Sequence, residues 1–344
     1  MKKYLIDGRF LASLTTGIDR YAEQVLNEFD KICTDNIDIS ILVPANAKKI
    51  PEYHNIKVIK SARSKHWTQL VFGGYALFHG MIPINLCNEV SIIAPRGIVC
   101  LHDVCYAETP QYYPGIEDFP QDEIQWFRKL YKRIVKKADI LITVSEFSKQ
   151  RITRLLGVDE NKIHVIGNGW QHFIEVKSDC TLLDKYQKVK AGQYYFTLTS
   201  ANKNKNVDWV LSASKYNPSE IFVIAGKNLD KIVDFSVYPN VVYVGYASDE
   251  LSKTLMKYCK AFVFPSYYEG FGIPPLEAMS AGADVIVSEA ASLPEIFGKS
   301  AHYISAYNPN VNLSGLMKEN VSGKEEVLEK YSWKKAAKKL YELL

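Results

Sequence analysis

The sequence predicts an α/β protein with two doubly wound parallel-sheet domains, and three observations lead to this prediction. Short apolar runs alternate with longer segments of helical period along the chain. Its 344 residues are about twice the length of a typical domain. Residues 264–282 read as a strand, a glycine-containing loop and a helix, which is typical of phosphate binding in such folds. Because these folds bind ligands at the carboxyl ends of their strands, we expect the site in a cleft between the domains.

The strand candidates are short apolar runs bounded by polar or turn residues. They are Lys3–Asp7, Ile37–Val43, Ile56–Ile59, Gly97–Leu101, Ile140–Val144, Tyr195–Thr199, Ile221–Ala225, Val241–Val244, Ala261–Phe264 and Asp284–Val287. Helices are expected between them, such as Ile18–Phe29, whose apolar residues share one face.

A turn-rich stretch, Val165–Gly169, predicts the domain boundary. We therefore expect an N-terminal domain over residues 1–168 and a C-terminal domain over residues 169–330. The last helix, over residues 331–344, is expected to pack back on the N-terminal domain.

Composition and charge point to a cytoplasmic protein with no nucleic-acid partner. The net charge is only +4, and the basic residues do not interleave with aromatic residues as they do in RNA-binding surfaces. No apolar run is long enough to cross a bilayer, and Asp7 follows the first apolar residues too soon for a signal peptide. The six cysteines form no C-x-x-C pair, which suits a reducing compartment, and the seven histidines lack metal-ligand spacing.

The richest stretch follows the strand that ends at Phe264. Pro274 and Pro275 begin a helix here, because proline suits a first helical turn, and Gly282 is expected to end it. Glu277 is then expected in the first turn, eight positions after Glu269 on the loop. Taken alone, a first-turn acid and a solvated loop acid would also fit structural roles.

Several segments in chain order resemble one family. The stretch from Glu269 to Glu277 resembles the E-x7-E signature of glycosyltransferase family four, whose members have the GT-B fold of two Rossmann-like domains. Further matching segments are Asp139–Lys149 (DILITVSEFSK), Ile163–Gly169 (IHVIGNG), Tyr243–Glu250 (YVGYASDE), Thr16–Ala22 (TGIDRYA) and Leu101–Asp103 (LHD). The resemblance covers most of the chain. It is specific for fold and reaction type but not for the sugar.

The resemblance implies a role for each part of the signature. Glu277 would bind the ribose of the donor, and Glu269 would contact the transferred sugar and stabilise positive charge. Backbone N–H groups would bind sugar hydroxyls and the diphosphate; they belong to Phe271, Gly272, Ile273 and Leu276.

The resemblance also implies that basic side chains, and not a metal, neutralise the leaving diphosphate. No Asp-x-Asp triplet is present. In the family a Gly, an Arg and a Lys precede the next helix; here Thr199 and Asn204 occupy the Gly and Arg positions, and Lys205 matches the Lys. We expect Lys203 to compensate in part for the missing Arg, because a charged contact to phosphate is about twice as strong as a neutral one. No cofactor or metal is expected.

Two sites in the N-terminal domain complete the expected machinery. Gly17, just before the Ile18–Phe29 helix, would let its loop approach the β-phosphate of the donor. His102 follows the Gly97–Leu101 strand and would lie next to the donor sugar. His102, Lys205 and Glu269 are therefore the expected catalytic residues.

Two other segments have alternative interpretations. The Ile124–Lys137 helix carries basic residues on one side and would suit either solvent or peripheral contact with an anionic membrane at the inner face of the cell membrane. The run Ser292–Glu295 matches a capping box.

The implied function is a retaining, metal-independent hexosyltransferase that uses a nucleotide-sugar donor. Its acceptor would be a glycan or a lipid-linked glycan in bacterial surface polysaccharide or glycolipid synthesis, and GDP-mannose, a UDP-hexose and dTDP-rhamnose remain open as donors. A non-hydrolysing nucleotide-sugar epimerase and a non-catalytic nucleotide-binding GT-B subunit are the two alternatives.

Overall fold

The computed structural model describes residues 2–12, 16–34, 36–47 and 50–344. The chain divides into two compact units. The first unit runs to Glu108, resumes over Phe119–Asn168 and ends with Ser332–Leu344, while the second comprises Thr109–Asp118 and Gly169–Tyr331. No helix in the described part of the chain is both long and apolar enough to span a bilayer.

The first unit is built on a parallel sheet of seven strands within the described residues. Its strands, in the spatial order β3-β2-β1-β4-β5-β6-β7, are β1 (Lys3–Asp7), β2 (Asp38–Pro44), β3 (Lys57–Ser61), β4 (Ile82–Asn85), β5 (Gly97–Cys100), β6 (Ala138–Thr143) and β7 (Ile163–Val165). The helices of this unit are α1 (Gly17–Ile32), α2 (Gly73–Phe78), α3 (Gln121–Lys137), α4 (Glu146–Leu156) and, from the end of the chain, α11 (Trp333–Tyr341). A π-helix, Trp67–Phe72, leads directly into α2.

Helix α11 packs against α1 within the first unit. The ring of Trp333 meets Tyr21 edge-on, with centroids 6.1 Å apart, and Tyr341 lies 6.0 Å from Phe29. Trp333 is 1% exposed and Leu340 is also 1% exposed. Burying these side chains removes apolar surface from water, which holds the last helix on this unit.

The second unit has a parallel sheet of six strands among its described residues. Its strands, in the spatial order β10-β9-β8-β11-β12-β13, are β8 (Tyr194–Leu198), β9 (Ile221–Ala225), β10 (Val241–Gly245), β11 (Ala261–Phe264), β12 (Val285–Ser288) and β13 (His302–Ile304). Its helices are α5 (Val207–Tyr216), α6 (Asp249–Lys257), α7 (Ile273–Ser280), α8 (Leu293–Phe297), α9 (Leu313–Leu316) and α10 (Glu325–Lys330).

Both sheets confirm the doubly wound α/β class. All ten predicted strands are present, and their ends differ from the predicted ones by at most two residues. In each sheet the strand order reverses beside the first strand of the unit, between β1 and β4 and between β8 and β11. Such a switch point opens a crevice at the carboxyl ends of the strands, where ligands of these folds bind.

Candidate functional site

The loop between β11 and α7 is held by backbone constraints. Gly272 has φ of +101°, and a Cβ there would lie 2.7 Å from Leu293, so only glycine fits this position. The Ser292 hydroxyl donates a 2.9 Å hydrogen bond to the Glu269 carbonyl. The predicted capping box is therefore wrong: Ser292 makes no side-chain bond to its own helix, because its hydroxyl secures the loop that carries Glu269.

Helix α7 begins at Ile273, one residue before Pro274. Glu277 is thus its fifth residue, and the expected first-turn position is wrong, since the first turn holds no acidic residue. Gly282, with φ of +99°, lies just beyond the end of α7 as predicted. The loop and helix amino terminus carry the backbone groups of Phe271, Gly272, Ile273 and Leu276.

Glu277 is 6% exposed and is paired with His172. The His172 Nε2 and Glu277 Oε1 atoms lie 2.8 Å apart. His172 lies in a short 3₁₀ turn, Gln171–Phe173, 105 residues away in sequence, and sequence reasoning missed it. The only sequence signal was its position just after the Asn168-Gly169 turn, next to a matching segment.

Lys205 and Glu269, both expected to be catalytic, lie together. Lys205 Nζ is 2.7 Å from Glu269 Oε1, and the ammonium lies 5.6 Å from the centre of the Phe264 ring. The two side chains are 25% and 11% exposed, so the ion pair is largely shielded from water. A cation and a carboxylate thus stand beside the loop at the carboxyl end of β11.

Asn206 shapes the turn that holds Lys205. It adopts the left-handed conformation, with φ of +54°, at the junction between the 3₁₀ turn Lys203–Lys205 and α5. Its side-chain amide donates to the carbonyls of Pro265 and Ala306, at 3.0 and 2.9 Å. These bonds fasten the turn to the segments that follow β11 and β13.

Asn204, at the position of the family Arg, connects the same two segments. Its side-chain amide donates to the Tyr268 carbonyl at 3.2 Å, and its own carbonyl accepts the Tyr267 N–H at 2.8 Å. Lys203 instead forms an ion pair with Asp118, and both side chains are more than half exposed. The structure therefore places Lys205 next to the loop residue Glu269. Lys203 instead contacts Asp118, at the end of the segment Thr109–Asp118, which belongs to the second unit.

His102 lies in the first unit, at the carboxyl end of β5, and is 6% exposed. Its Nε2 donates to the Leu86 carbonyl at 2.9 Å, and the Tyr21 ring meets the imidazole edge-on at 4.8 Å. Burial lowers the pKa of His102. The imidazole is therefore neutral near pH 7, with its hydrogen on Nε2.

Gly17 is the first residue of α1, one position further into the helix than expected. Thr16 caps this helix: Asp19 N donates to the Thr16 hydroxyl at 3.4 Å, and Thr16 N donates to Asp19 Oδ2 at 3.0 Å. This capping box satisfies two of the amide groups at the amino terminus. In neither unit do the described residues include a group of three His, Cys, Asp or Glu side chains that could hold a metal ion.

Two protein-family models match the chain in succession. Residues 88–171 match the model described as Glycosyltransferase Family 4, and residues 181–343 match Glycosyl transferases group 1. The E-x7-E signature and the turn that holds Lys205 both lie within the second of these matches.

Curated relatives include bacterial mannosyltransferases. O-antigen chain mannosyltransferase B of Escherichia coli is 29% identical over 59% of this chain and 55% of that protein. O-antigen chain mannosyltransferase RfbU of Salmonella typhimurium is 29% identical over 60% of this chain and 56% of that protein. The chain spans about half the length of these relatives.

Solved structures share the fold. Sucrose-phosphate synthase from Thermosynechococcus elongatus superposes with a TM-score of 0.74 at 14% identity, covering 100% of this chain and 98% of that chain. HepE from Anabaena, in complex with UDP and glucose, has a TM-score of 0.72 at 15% identity, with 100% and 99% covered. With two doubly wound sheets and both family models matched in order, the chain belongs to the group 1, family 4 glycosyltransferases of GT-B fold.

Proposed function

We propose that this protein is a retaining glycosyltransferase that moves a sugar from a nucleotide-sugar donor to a glycan or lipid-linked glycan during bacterial surface polysaccharide or glycolipid synthesis. The observation that best supports this proposal is the ion pair between Lys205 and Glu269. Glu269 lies eight residues before Glu277, which forms a buried pair with His172. This cation and these carboxylates lie around one loop and helix amino terminus, which suits a sugar linked to a diphosphate.

In this proposal Glu277 binds the ribose hydroxyls and His172 orients its carboxylate. The N–H groups of Phe271, Gly272 and Ile273 bind sugar hydroxyls, while the Leu276 region faces the diphosphate. Lys205 neutralises the charge that develops on the leaving diphosphate, with Lys203 in support and no metal required. As the glycosidic bond to the diphosphate breaks, the departing phosphate oxygen takes the proton of the acceptor hydroxyl. The acceptor oxygen then bonds to the anomeric carbon on the face from which the diphosphate leaves. A preplaced cation stabilises such a transition state more than the ground state.

We assign acceptor binding to the first unit and donor binding to the second. His102 is proposed to contact the transferred sugar, with its neutral imidazole held by the Leu86 carbonyl. Gly17, at the start of α1, is proposed to let its backbone approach the β-phosphate. His102 follows the carboxyl end of β5, and Gly17 is the first residue of α1.

GDP-mannose is the first donor to test, because two relatives are named as O-antigen mannosyltransferases. UDP-hexoses and dTDP-rhamnose follow, since the HepE structure contains UDP. We also propose that the protein works at the cytoplasmic face of the membrane, where α3 contacts anionic lipid. Lys129, Lys132 and Lys136 of α3 are exposed, and Trp126 on the same helix is 58% exposed.

The test is to measure thermal stabilisation by GDP, UDP and dTDP, followed by transfer from the matching nucleotide sugars to a bacterial lipid extract. We expect one nucleoside diphosphate to raise the melting temperature and its sugar to be transferred with retained anomeric configuration. Interconversion of donors without release of nucleoside diphosphate would identify an epimerase instead. Nucleotide binding without any turnover would identify a non-catalytic subunit.

A further inference from the structure

The segment Thr109–Asp118 follows β5 in the chain but packs within the second unit. Its backbone is folded on itself: the Tyr113 N–H donates to the Thr109 carbonyl at 3.0 Å, and the Ile116 N–H donates to the Tyr113 carbonyl at 3.1 Å. Tyr113 and Ile116 are each 3% exposed. The segment is therefore an ordered part of the second unit, and its two buried side chains fix where it lies.

Tyr113 packs against the residue that precedes Glu269. The rings of Tyr113 and Tyr268 are stacked, with their centroids 6.0 Å apart and their planes 27° from parallel. This separation lies in the range that aromatic pairs prefer, and Tyr268 is only 2% exposed. Because Tyr268 is joined directly to Glu269, the position of its ring limits the directions in which the loop can present the Glu269 carboxylate.

The backbone of the same loop is held by the turn that carries Lys205. The side-chain amide of Asn204 donates to the Tyr268 carbonyl at 3.2 Å, and the Asn204 carbonyl accepts the Tyr267 N–H at 2.8 Å. Lys205 follows Asn204 in the chain, and Glu269 follows Tyr268. Two backbone contacts and one aromatic stack therefore flank the ion pair between Lys205 and Glu269.

Three further contacts keep the segment in this place. Gly115 has φ of +79°, and a Cβ there would lie only 3.0 Å from Lys203 Cδ, so glycine permits the close approach. Asp118 forms an ion pair with Lys203. The Tyr307 hydroxyl donates to the Gln111 carbonyl at 3.3 Å. The stacked ring is thus supported from both ends of its own segment.

We propose that Tyr113 is a positioning residue for the transfer reaction. It acts through Tyr268, whose ring it fixes, and so holds the Glu269 carboxylate beside Lys205 and towards the transferred sugar. Precise placement matters for such a group, because a displacement of about 1 Å can lower a rate by about 100-fold. The inference rests on the proposed function, since it assumes that Glu269 contacts the sugar of the donor.

The first test replaces the ring of Tyr113 and measures initial rates and nucleoside diphosphate binding. Tyr113→Leu removes the stack but keeps an apolar side chain, and we expect kcat to fall by about 10–100-fold. Tyr113→Phe keeps the stacked ring and should stay within about threefold of normal kcat. Tyr268→Leu breaks the same stack from the other side and should lower kcat as Tyr113→Leu does.

Nucleoside diphosphate binding distinguishes positioning from general loss of structure. A displaced Glu269 competes less well for the Lys205 ammonium, so Tyr113→Leu should lower the Kd of the nucleoside diphosphate by about threefold, which is the size of a weak coupling between neighbouring residues. In a Glu269→Gln background the same change should leave Kd unaltered, because the competing charge is already gone. Calorimetry of the single and double variants measures this coupling.

Phe222→Leu is the matched control for loss of a buried ring. Phe222 is 1% exposed and packs on Tyr195, with ring centroids 5.6 Å apart. Both residues lie near the amino ends of their strands, β9 and β8, at the edge of the sheet away from the Glu269 loop. This variant should lower the melting temperature, while its kcat and its Kd, measured well below that temperature, stay normal.

Three results would overturn the inference. They are normal kcat for both Tyr113→Leu and Tyr268→Leu, a kcat for Tyr113→Phe as low as that for Tyr113→Leu, and equal effects of Tyr113→Leu on Kd with and without Glu269→Gln. Weaker nucleotide binding by Tyr113→Leu would likewise count against it. If the unmodified protein binds no nucleoside diphosphate, the proposed function itself is refuted; if it binds and transfers sugar normally, these results bear on Tyr113 alone.

Discussion

The contact between Lys205 and Glu269 predicts opposite effects of two substitutions on nucleotide binding. Glu269 Oε1 lies 2.7 Å from the Lys205 ammonium, so a diphosphate must compete with this carboxylate for the cation. Glu269→Gln removes the competing charge, and we expect tighter binding of the nucleoside diphosphate. Lys205→Ala removes the cation itself, and we expect weaker binding.

The magnitude follows from the strength and shielding of the pair. A hydrogen bond to a charged group contributes about 1.5–3 kcal/mol. Because the Lys205 side chain is 25% exposed, we take the lower end, which corresponds to a roughly tenfold lower Kd for Glu269→Gln. Lys205→Ala should lower kcat by about 10²–10³, the scale for losing one preorganised stabilising group, with a smaller change in donor KM.

Lys203→Ala is the matched control, since it removes the same charge two positions away. Lys203 is paired with Asp118, and both side chains are more than half exposed, so this contact contributes little. We expect a loss of less than about tenfold in kcat. Calorimetry of nucleoside diphosphate binding and initial-rate kinetics of all three variants provide the readout. Normal kcat for Lys205→Ala together with a large loss for Lys203→Ala would refute the assignment, and so would an unchanged Kd for Glu269→Gln.

Three further predictions concern nucleotide binding, metal and pH. Glu277→Ala should weaken binding of donor and free nucleoside diphosphate alike, by about 1–3 kcal/mol, and His172→Ala should weaken it less; calorimetry showing unchanged affinity for Glu277→Ala would contradict the ribose role. Turnover should persist in EDTA, and loss of activity that manganese restores would contradict the proposed neutralisation by lysine. Burial, reinforced by Glu89, raises the pKa of Asp7 from 3.8 to about 7. The folded state therefore holds a proton that the unfolded state releases, and stability falls as pH rises between these values. Asp7→Asn should raise the melting temperature more at pH 8 than at pH 5, and equal shifts would show that Asp7 does not titrate in this range.

Local sequence patterns were sufficient for most of the strands. Runs such as Ile221–Ala225 and Ala261–Phe264 are apolar throughout because their strands are buried on both faces, and the observed bounds agree with the predicted ones. Three strands of the described residues were not among the ten candidates. Pro83 interrupts the apolar pattern of β4, and β7 and β13 have only three residues each, so none of them offers enough residues for a periodicity argument.

Some features of the candidate site were also predictable from local sequence, and others were not. Glycine and proline constrain the backbone locally, so the loop before α7 and the end of that helix near Gly282 were predictable. The start of α7 differs by one residue, which moved Glu277 out of the first turn. Ser292 matched a local capping pattern, but tertiary packing gave its hydroxyl a different partner, the Glu269 carbonyl.

The sequence by itself determined the alternation of strands and helices, the strand–loop–helix unit around Glu269 and the family resemblance, because these depend on residues near one another in the chain. The tertiary structure alone decided which distant side chains meet. His172 reaches Glu277 across 105 residues and Lys205 reaches Glu269 across 64, while Lys203 is drawn to Asp118 across 85. Strand order brings such residues to one edge of a sheet, and no local pattern records that order. The physical reason is that pairing between strands is set by packing of the whole unit, not by the preferences of the residues in each strand.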